Sequence, residues 1–388
     1  MPWWMSQSSD VESALSLARW AEAATRRLKR TWQGESAMLL TEMSPAASQP
    51  LITNEAPETS LKPLHPLKPA APTPYGAPST APKQRRAAFT RQVFEFAGER
   101  YGFNLYVPPQ AVAGDGTTPR LPLLVMLHGC QQDAPDFARG TGMNELAAQV
   151  PCLVLYPEQL AKANQMRCWN WYDIAHQGLH AGEPAMLAAL TRQIIGRYPV
   201  DAARVYIAGL SAGGAMAAIV AAHHPRLFAA VGVHSGLPPG AAHDVMSAFK
   251  AMRHGGHPHA PGDPAALEDV MPTIVFHGNA DVTVHPDNSD RIVTAAAAAL
   301  AASGVTLQRS VMAQTLPAAT GELRQVQRTV YRRGTGRSYV EYWSVEAGPH
   351  AWSGGSATGS FTDPHGPSAS AAMLAFFLQH RRTGQSPA

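Results

Sequence analysis

The sequence predicts an α/β fold, a mostly parallel sheet with helices on both faces, in the later part of a 388-residue chain. Three observations point to it. Short apolar runs alternate with helix-forming stretches from Leu123 onward, the order that builds parallel sheets. The runs lack polar alternation, as strands buried on both faces do. Several end in glycine loops that carry a serine, an aspartate or a histidine, at the strand ends where open sheets place their sites.

The chain divides into three parts. Residues 1–43 hold an expected amphipathic helix from Asp10 to Arg30, with Val11, Leu15, Ala18, Ala21 and Leu28 at helical spacing and Arg26, Arg27, Lys29 and Arg30 in its last turns. A basic helix bearing Trp20 can lie on an apolar–water interface, although packing on the catalytic part or on a second protomer also hides its apolar face. Residues 44–86 meet a proline every few positions, as in Lys62-Pro63-Leu64-His65-Pro66, and read as an extended linker. Residues 87–388 carry the α/β pattern.

Within that last part, Arg91–Phe96 and Gly102–Val107 read as an entry hairpin. The strand Leu123–Leu127 follows, then a helix near Phe137 to Gln149, the strand Cys152–Tyr156 and a helix from Glu183 to Arg197. Val205–Ala208 is the next strand and runs through Gly209 into an alanine-rich helix. Ala229–His234, Met271–Phe276 and Val340–Val345 complete the set of apolar strands. Arg324, Arg328, Arg332, Arg333 and Arg337 are scattered over a strand-rich stretch and read as a solvated face.

Gly209-Leu210-Ser211-Ala212-Gly213 places a serine at the apex of a strand–turn–helix. Such a turn strains the serine backbone and leaves no room for side chains two residues either side, so glycines flank it and the hydroxyl stands clear of the sheet. A base and an acid should follow in that chain order. Asp281 ends the loop after Met271–Phe276, and His350 follows the strand Val340–Val345. Ser211, Asp281 and His350 are therefore the expected catalytic triad. Asp287 and Asp290 are expected at a helix start, His277 and His285 as structural flanks of the acid loop, and His365 and His380 lie in less suitable settings. The expected oxyanion donors are the backbone N–H of Ala212 and that of Cys130, with Gln131 the less favoured choice.

His128-Gly129-Cys130 with Gln132, Cys168-Trp169-Asn170-Trp171, Gly209-Leu210-Ser211-Ala212-Gly213-Gly214, His277-Gly278 with Asp281, and His350-Ala351-Trp352 together resemble the esterase family of short-chain polyhydroxybutyrate (PHB) depolymerases. The resemblance spans roughly residues 90 to 380. It implies an α/β-hydrolase fold and hydrolysis of poly(3-hydroxybutyrate), or related esters, through an acyl-enzyme. Feruloyl and acetyl-xylan esterases share the family, so the bond is better specified than the substrate. By the same resemblance Ser211, Asp281 and His350 carry over as triad and Cys130 as oxyanion donor.

Trp169, Trp171 and Trp352 adjoin these loops and are expected to line an apolar substrate cleft. Three cysteines allow at most one disulfide. Cys152 reads as a buried hydrophobe, and a Cys130–Cys168 bond stays open, opposed by a reducing cytoplasm and favoured by the resemblance. The N-terminus shows no basic region followed by an apolar one. A cytoplasmic, granule-associated location is expected, with secretion the alternative.

A net charge of +3 gives no argument for nucleic acid, and no apolar run reaches bilayer-spanning length. His254, His257 and His259 lie in a Gly/Pro loop with no accompanying carboxylate or cysteine, so no metal is expected, and this chemistry needs no cofactor. A non-catalytic granule-surface protein is the remaining class, and the ordered triad argues against it.

Overall fold

The structure is a computed structural model that describes residues 86–112, 119–256, 271–317 and 323–382. The expected N-terminal helix, nearly all of the proline-rich linker, and His257 and His259 lie outside the described residues.

Among the described residues, ten strands form one sheet. The hairpin β1 (Ala88–Phe96) and β2 (Glu99–Val107) opens it at one edge. Then come β3 (Leu121–Leu127), β4 (Leu153–Pro157), β5 (Val200–Leu210), β6 (Ala230–His234) and β7 (Thr273–Gly278). The hairpin β8 (Gln308–Pro317) and β9 (Leu323–Arg332) closes the far edge beside β10 (Ser338–Val345). The spatial order is β1-β2-β4-β3-β5-β6-β7-β10-β9-β8. Strands β4, β3, β5, β6, β7 and β10 run parallel, so their C-terminal ends form one rim.

Both faces of the sheet are covered. The expected helix near Phe137–Gln149 is instead two, α1 (Ala134–Thr141) and α2 (Met143–Gln149), because Gly142 enters the left-handed region at φ 60° and ends the first. The others are α3 (Gly182–Arg197), α4 (Ala212–His223), α5 (Val245–His254), α6 (Asp287–Ala302) and α7 (Ala369–Phe377). Along β3 the residues alternate between two cores. Leu123, Val125 and Leu127 pack with α3 and α4, whereas Leu124 and Met126 pack with α1, α2 and α7. Every residue of β3 is buried, and each large apolar side chain so buried contributes about 1.5–3 kcal/mol. This two-sided burial explains the unbroken apolar runs. No described helix is long and apolar enough to cross a membrane.

The arginine-rich stretch is not simply a solvated face. Arg328 donates to the buried Glu341 carboxylate at 2.8 Å and lies over the Trp343 ring, while Arg324 pairs with Asp363 at 3.2 Å. Strand alternation turns these two toward partners that the sequence spacing alone does not reveal.

Candidate active site

Strand register brings the serine loop and the Cys130 loop to one level. Leu127 of β3 pairs with Gly209 of β5, so Cys130 and Ala212 each stand three residues beyond the same rung. The serine turn is tight. Ser211 has φ 55° and ψ −120°, a strained conformation for a non-glycine residue. A Cβ on Gly209 would lie 2.3 Å from the Gly213 carbonyl oxygen, and one on Gly213 would lie 2.2 Å from that of Leu127. Only hydrogen fits at either place, which gives the two glycines of the motif their physical cause.

The acid and the histidine arrive from the adjacent pair β7 and β10. Gly278 pairs with Val345 at the strand ends, and a Cβ on Gly278 would meet the Gly348 oxygen at 2.1 Å. The two loops are stitched together by Asn279 N–H to Val345 O, Ala280 N–H to Gly348 O, and Ala347 N–H to Asn279 Oδ1. Across this seam His350 Nδ1 donates to Asp281 Oδ2 at 2.6 Å, and Ser211 Oγ donates to His350 Nε2 at 2.9 Å. The three residues expected from the sequence thus form one continuous hydrogen-bonded relay. His365 pairs with Asp363 and His285 with Asp287, so neither joins it. His380 is buried away from the rim, its ring against Phe376.

Asp281 is held by four donors. Thr283 N–H and Val284 N–H reach Oδ1 at 2.9 Å each, and His277 Nε2 lies 3.2 Å from Oδ2 beside His350. Burial alone would raise the Asp281 carboxyl, but the hydrogen bonds from His277 and His350 outweigh it and hold the group well below the usual carboxylate range. His277 itself is fixed by Ser289 Oγ at Nδ1 and by the Val284 carbonyl at Nε2. Its place against Asp281 makes it part of the relay's support, a role that a flanking histidine does not announce in sequence.

A second network holds the Cys130 loop. Gly129 N–H donates to Gln132 Oε1 at 2.9 Å, and Gln131 N–H donates to Met166 O at 2.7 Å. Gln131 is therefore already engaged. Among the described residues no hydrogen bond engages the Cys130 N–H, and Ala212, as the first residue of α4, has no intrahelical acceptor. A disulfide joins Cys130 to Cys168, and Cys152 is the free, buried thiol. Behind Cys168, the buried Glu183 accepts from Asn170 N–H, Asn170 Nδ2 and Gln159 Nε2, and Gln159 N–H donates to His128 Nε2.

Two of the three expected cleft tryptophans are packing residues. Trp169 is fully buried, and its indole N–H donates to the His128 carbonyl. Trp352 is equally buried, stacked on His234 and bonded to Ser370 Oγ. Both supply large apolar area to the layers beneath the loops, so neither walls a cleft. Trp171 is 5% exposed, with its ring edge-on to Tyr172.

The arrangement can raise a nucleophilic hydroxyl, take its proton and keep the resulting imidazolium beside a carboxylate. Comparison with known proteins finds ester hydrolases. A family profile described as esterase PHB depolymerase matches residues 101–327. Poly(3-hydroxyalkanoate) depolymerase C of Paucimonas lemoignei is 32% identical over 186 residues, covering 46% of this chain and 45% of that protein. Acetylxylan esterase A of Emericella nidulans is 27% identical over 203 residues, 48% of this chain and 63% of that one. Feruloyl esterase B of Neurospora crassa is 34% identical over 116 residues, 30% and 39% respectively. The chain spans less than half the length of the depolymerase it matches. Among solved structures, the acetyl xylan esterase from Aspergillus awamori superposes with a TM-score of 0.51 at 19% identity, over 67% of this chain and 94% of that one. That likeness shows the α/β-hydrolase fold.

Proposed function

The chain belongs to the esterase PHB depolymerase family, and from that premise we propose that it is a serine esterase that hydrolyses poly(3-hydroxybutyrate) or its oligomers. The observation that carries this reading is the Ser211–His350–Asp281 relay at the rim of the sheet. His350 Nε2 takes the Ser211 proton as Oγ attacks the ester carbonyl. The tetrahedral oxyanion is received by the N–H groups of Ala212 and Cys130. His350 then protonates the departing 3-hydroxyl, and water repeats the two steps to release the acid. Asp281 stays ionised throughout and fixes the imidazole tautomer.

A small-ester reading is favoured by one observation, the similarity to acetylxylan and feruloyl esterases. The two readings separate when kcat/KM is measured side by side on 3-hydroxybutyrate oligomers, acetylated xylan and a feruloyl ester. Highest values on the oligomers support the proposal; lowest values there overturn it.

The basic, tryptophan-bearing segment 1–43 is proposed to dock the enzyme on a polymer surface, on the strength of its sequence pattern. Removing residues 1–85 should leave soluble-ester turnover in place and weaken granule binding, and equal binding refutes the docking. Of the two locations, the Cys130–Cys168 disulfide favours an oxidising compartment and hence export.

A further inference from the structure

His350 sits between two short segments, and one guanidinium reaches both. Strand β9 runs antiparallel to β10, with Val326 opposite Val345 at the last rung. Arg324 therefore stands beyond the end of β10, at the rim where the chain turns toward His350. By strand alternation it shares a face with Val326, which packs in the same core as Trp352.

The turn before His350 has every backbone polar group of Glu346 and Ala347 bonded. Glu346 N–H donates to Gln325 O at 2.9 Å, and Ala347 N–H donates to Asn279 Oδ1 at 2.7 Å. The two carbonyls share one partner. Arg324 Nη1 donates to Glu346 O at 3.1 Å and to Ala347 O at 2.8 Å. Ala347 has φ 51°, a left-handed conformation that a non-glycine residue keeps only where its surroundings fix it.

The same guanidinium also reaches the chain after His350. There β11 (Trp352–Ser353) pairs with β12 (Thr362–Asp363) over two residues each, a ladder too short to hold itself. Trp352 N–H donates to Phe361 O and Gly354 N–H to Asp363 O, so the β12 segment fixes the chain just past the base. Asp363 is 5% exposed and turns its carboxylate to Arg324, with Oδ1 3.3 Å from Nη2 and Oδ2 3.2 Å from Nε. Oδ1 also accepts the His365 N–H at 3.1 Å.

We propose that Arg324 is a positioning residue for the catalytic base. Its planar fork clamps the turn before His350 to the strand that holds the chain after it, and so keeps Nε2 on Ser211 and Nδ1 on Asp281. Two carbonyls and a carboxylate on different edges of one group call for a guanidinium, which a lysine ammonium does not replace. This role in turnover rests on the esterase reading above; the clamp itself does not.

The test compares full-length Arg324→Ala and Arg324→Lys with the wild type on a short soluble ester. Arg324→Ala should lose about tenfold to hundredfold in kcat, the cost of a base displaced by up to about 1 Å, with KM within about twofold. Arg324→Lys, which keeps the charge and a few donors, should lose less. The Arg324 side chain is 19% exposed, so its removal opens a space to solvent. Guanidinium chloride, far below the concentrations that unfold the protein, should raise kcat of Arg324→Ala at least about fivefold, and potassium chloride at equal concentration should not.

A second readout needs no substrate. The Nδ1–H proton between His350 and Asp281 should give a low-field proton NMR signal that is absent in His350→Ala. In Arg324→Ala it should broaden or move upfield and return with guanidinium. A wild type that cleaves no ester removes the esterase reading, while this signal still reports on the clamp. Wild-type kcat in folded Arg324→Ala, an unmoved low-field signal, or no recovery beyond that in potassium chloride overturns the proposal. Should the alanine variant not fold, Arg324→Lys carries the kinetic and NMR readouts, and wild-type values for both overturn the proposal.

Discussion

His277 and Asp281 meet at 3.2 Å with both side chains fully buried, and the oxygen they share also accepts from His350. One carboxylate oxygen thus serves the base and a second histidine at once. Replacing His277 by alanine removes a donor to a buried charge, worth about 1.5–3 kcal/mol. The expected loss in kcat/KM on a soluble ester is roughly tenfold to hundredfold, with glutamine, which keeps a donor, losing less. Unchanged turnover in the alanine variant contradicts the supporting role.

The serine turn predicts a contrast between glycines. Gly213→Ala puts a methyl group 2.2 Å from a backbone oxygen of β3, where no flexible side chain can yield. It should cost about 3 kcal/mol or more in urea denaturation. Gly196, in α3 with nothing within 4 Å of its added Cβ, should instead gain up to about 1 kcal/mol as alanine.

The disulfide closes a loop with a sequence separation of 38. Reducing it, or replacing Cys168 by serine, should destabilise the protein by about 3–4 kcal/mol in the chain-entropy account. It should also lower kcat more than it raises KM if it displaces the Cys130 N–H, the proposed oxyanion donor. Alkylation followed by intact-mass measurement on denatured, non-reduced protein should find one thiol, Cys152. In the native protein that thiol should resist labelling, since burial pushes it up to about 12. Three labelled thiols would refute the bond.

Acid should weaken the fold before it touches Asp281. Burial lowers His128 to about 4 and His234 to about 3, against about 6.5 in an unfolded chain. With folded values depressed, the unfolded state binds protons first as pH falls below about 6.5, so stability present above that pH is lost on the way down. From pH 7 to 5 each of these histidines should remove about 2 kcal/mol, read as a falling urea midpoint. Asp281, held below the usual carboxylate range, adds no pH dependence in that window.

Much of this was legible in the sequence because it is local. Apolar runs without alternation marked the central strands, and the glycine-flanked serine marked the turn. The chain order of Ser211, Asp281 and His350 matched three strand ends that the sheet then brings together. What escaped was set by contacts between distant segments. Gly142 splits a helix that periodicity joined. Trp169 and Trp352 adjoin the catalytic loops in sequence, yet their rings point into the layers, since neighbouring positions on a loop say nothing of side-chain direction. Glu183 and Gln159 hold the Cys168–Trp171 segment from a helix start and a strand end, and no motif joins them.

On the proposed function, Ser211 opens the ester bonds of a hydroxyalkanoate polymer. The most direct test is the release of 3-hydroxybutyrate from amorphous poly(3-hydroxybutyrate) by the wild type and by Ser211→Ala, with a short soluble ester as control. Release by the wild type is expected, with a fall of several orders of magnitude in the variant on both substrates. Release that survives the substitution contradicts the nucleophile. A wild type that cleaves the soluble ester and leaves the polymer intact contradicts the substrate.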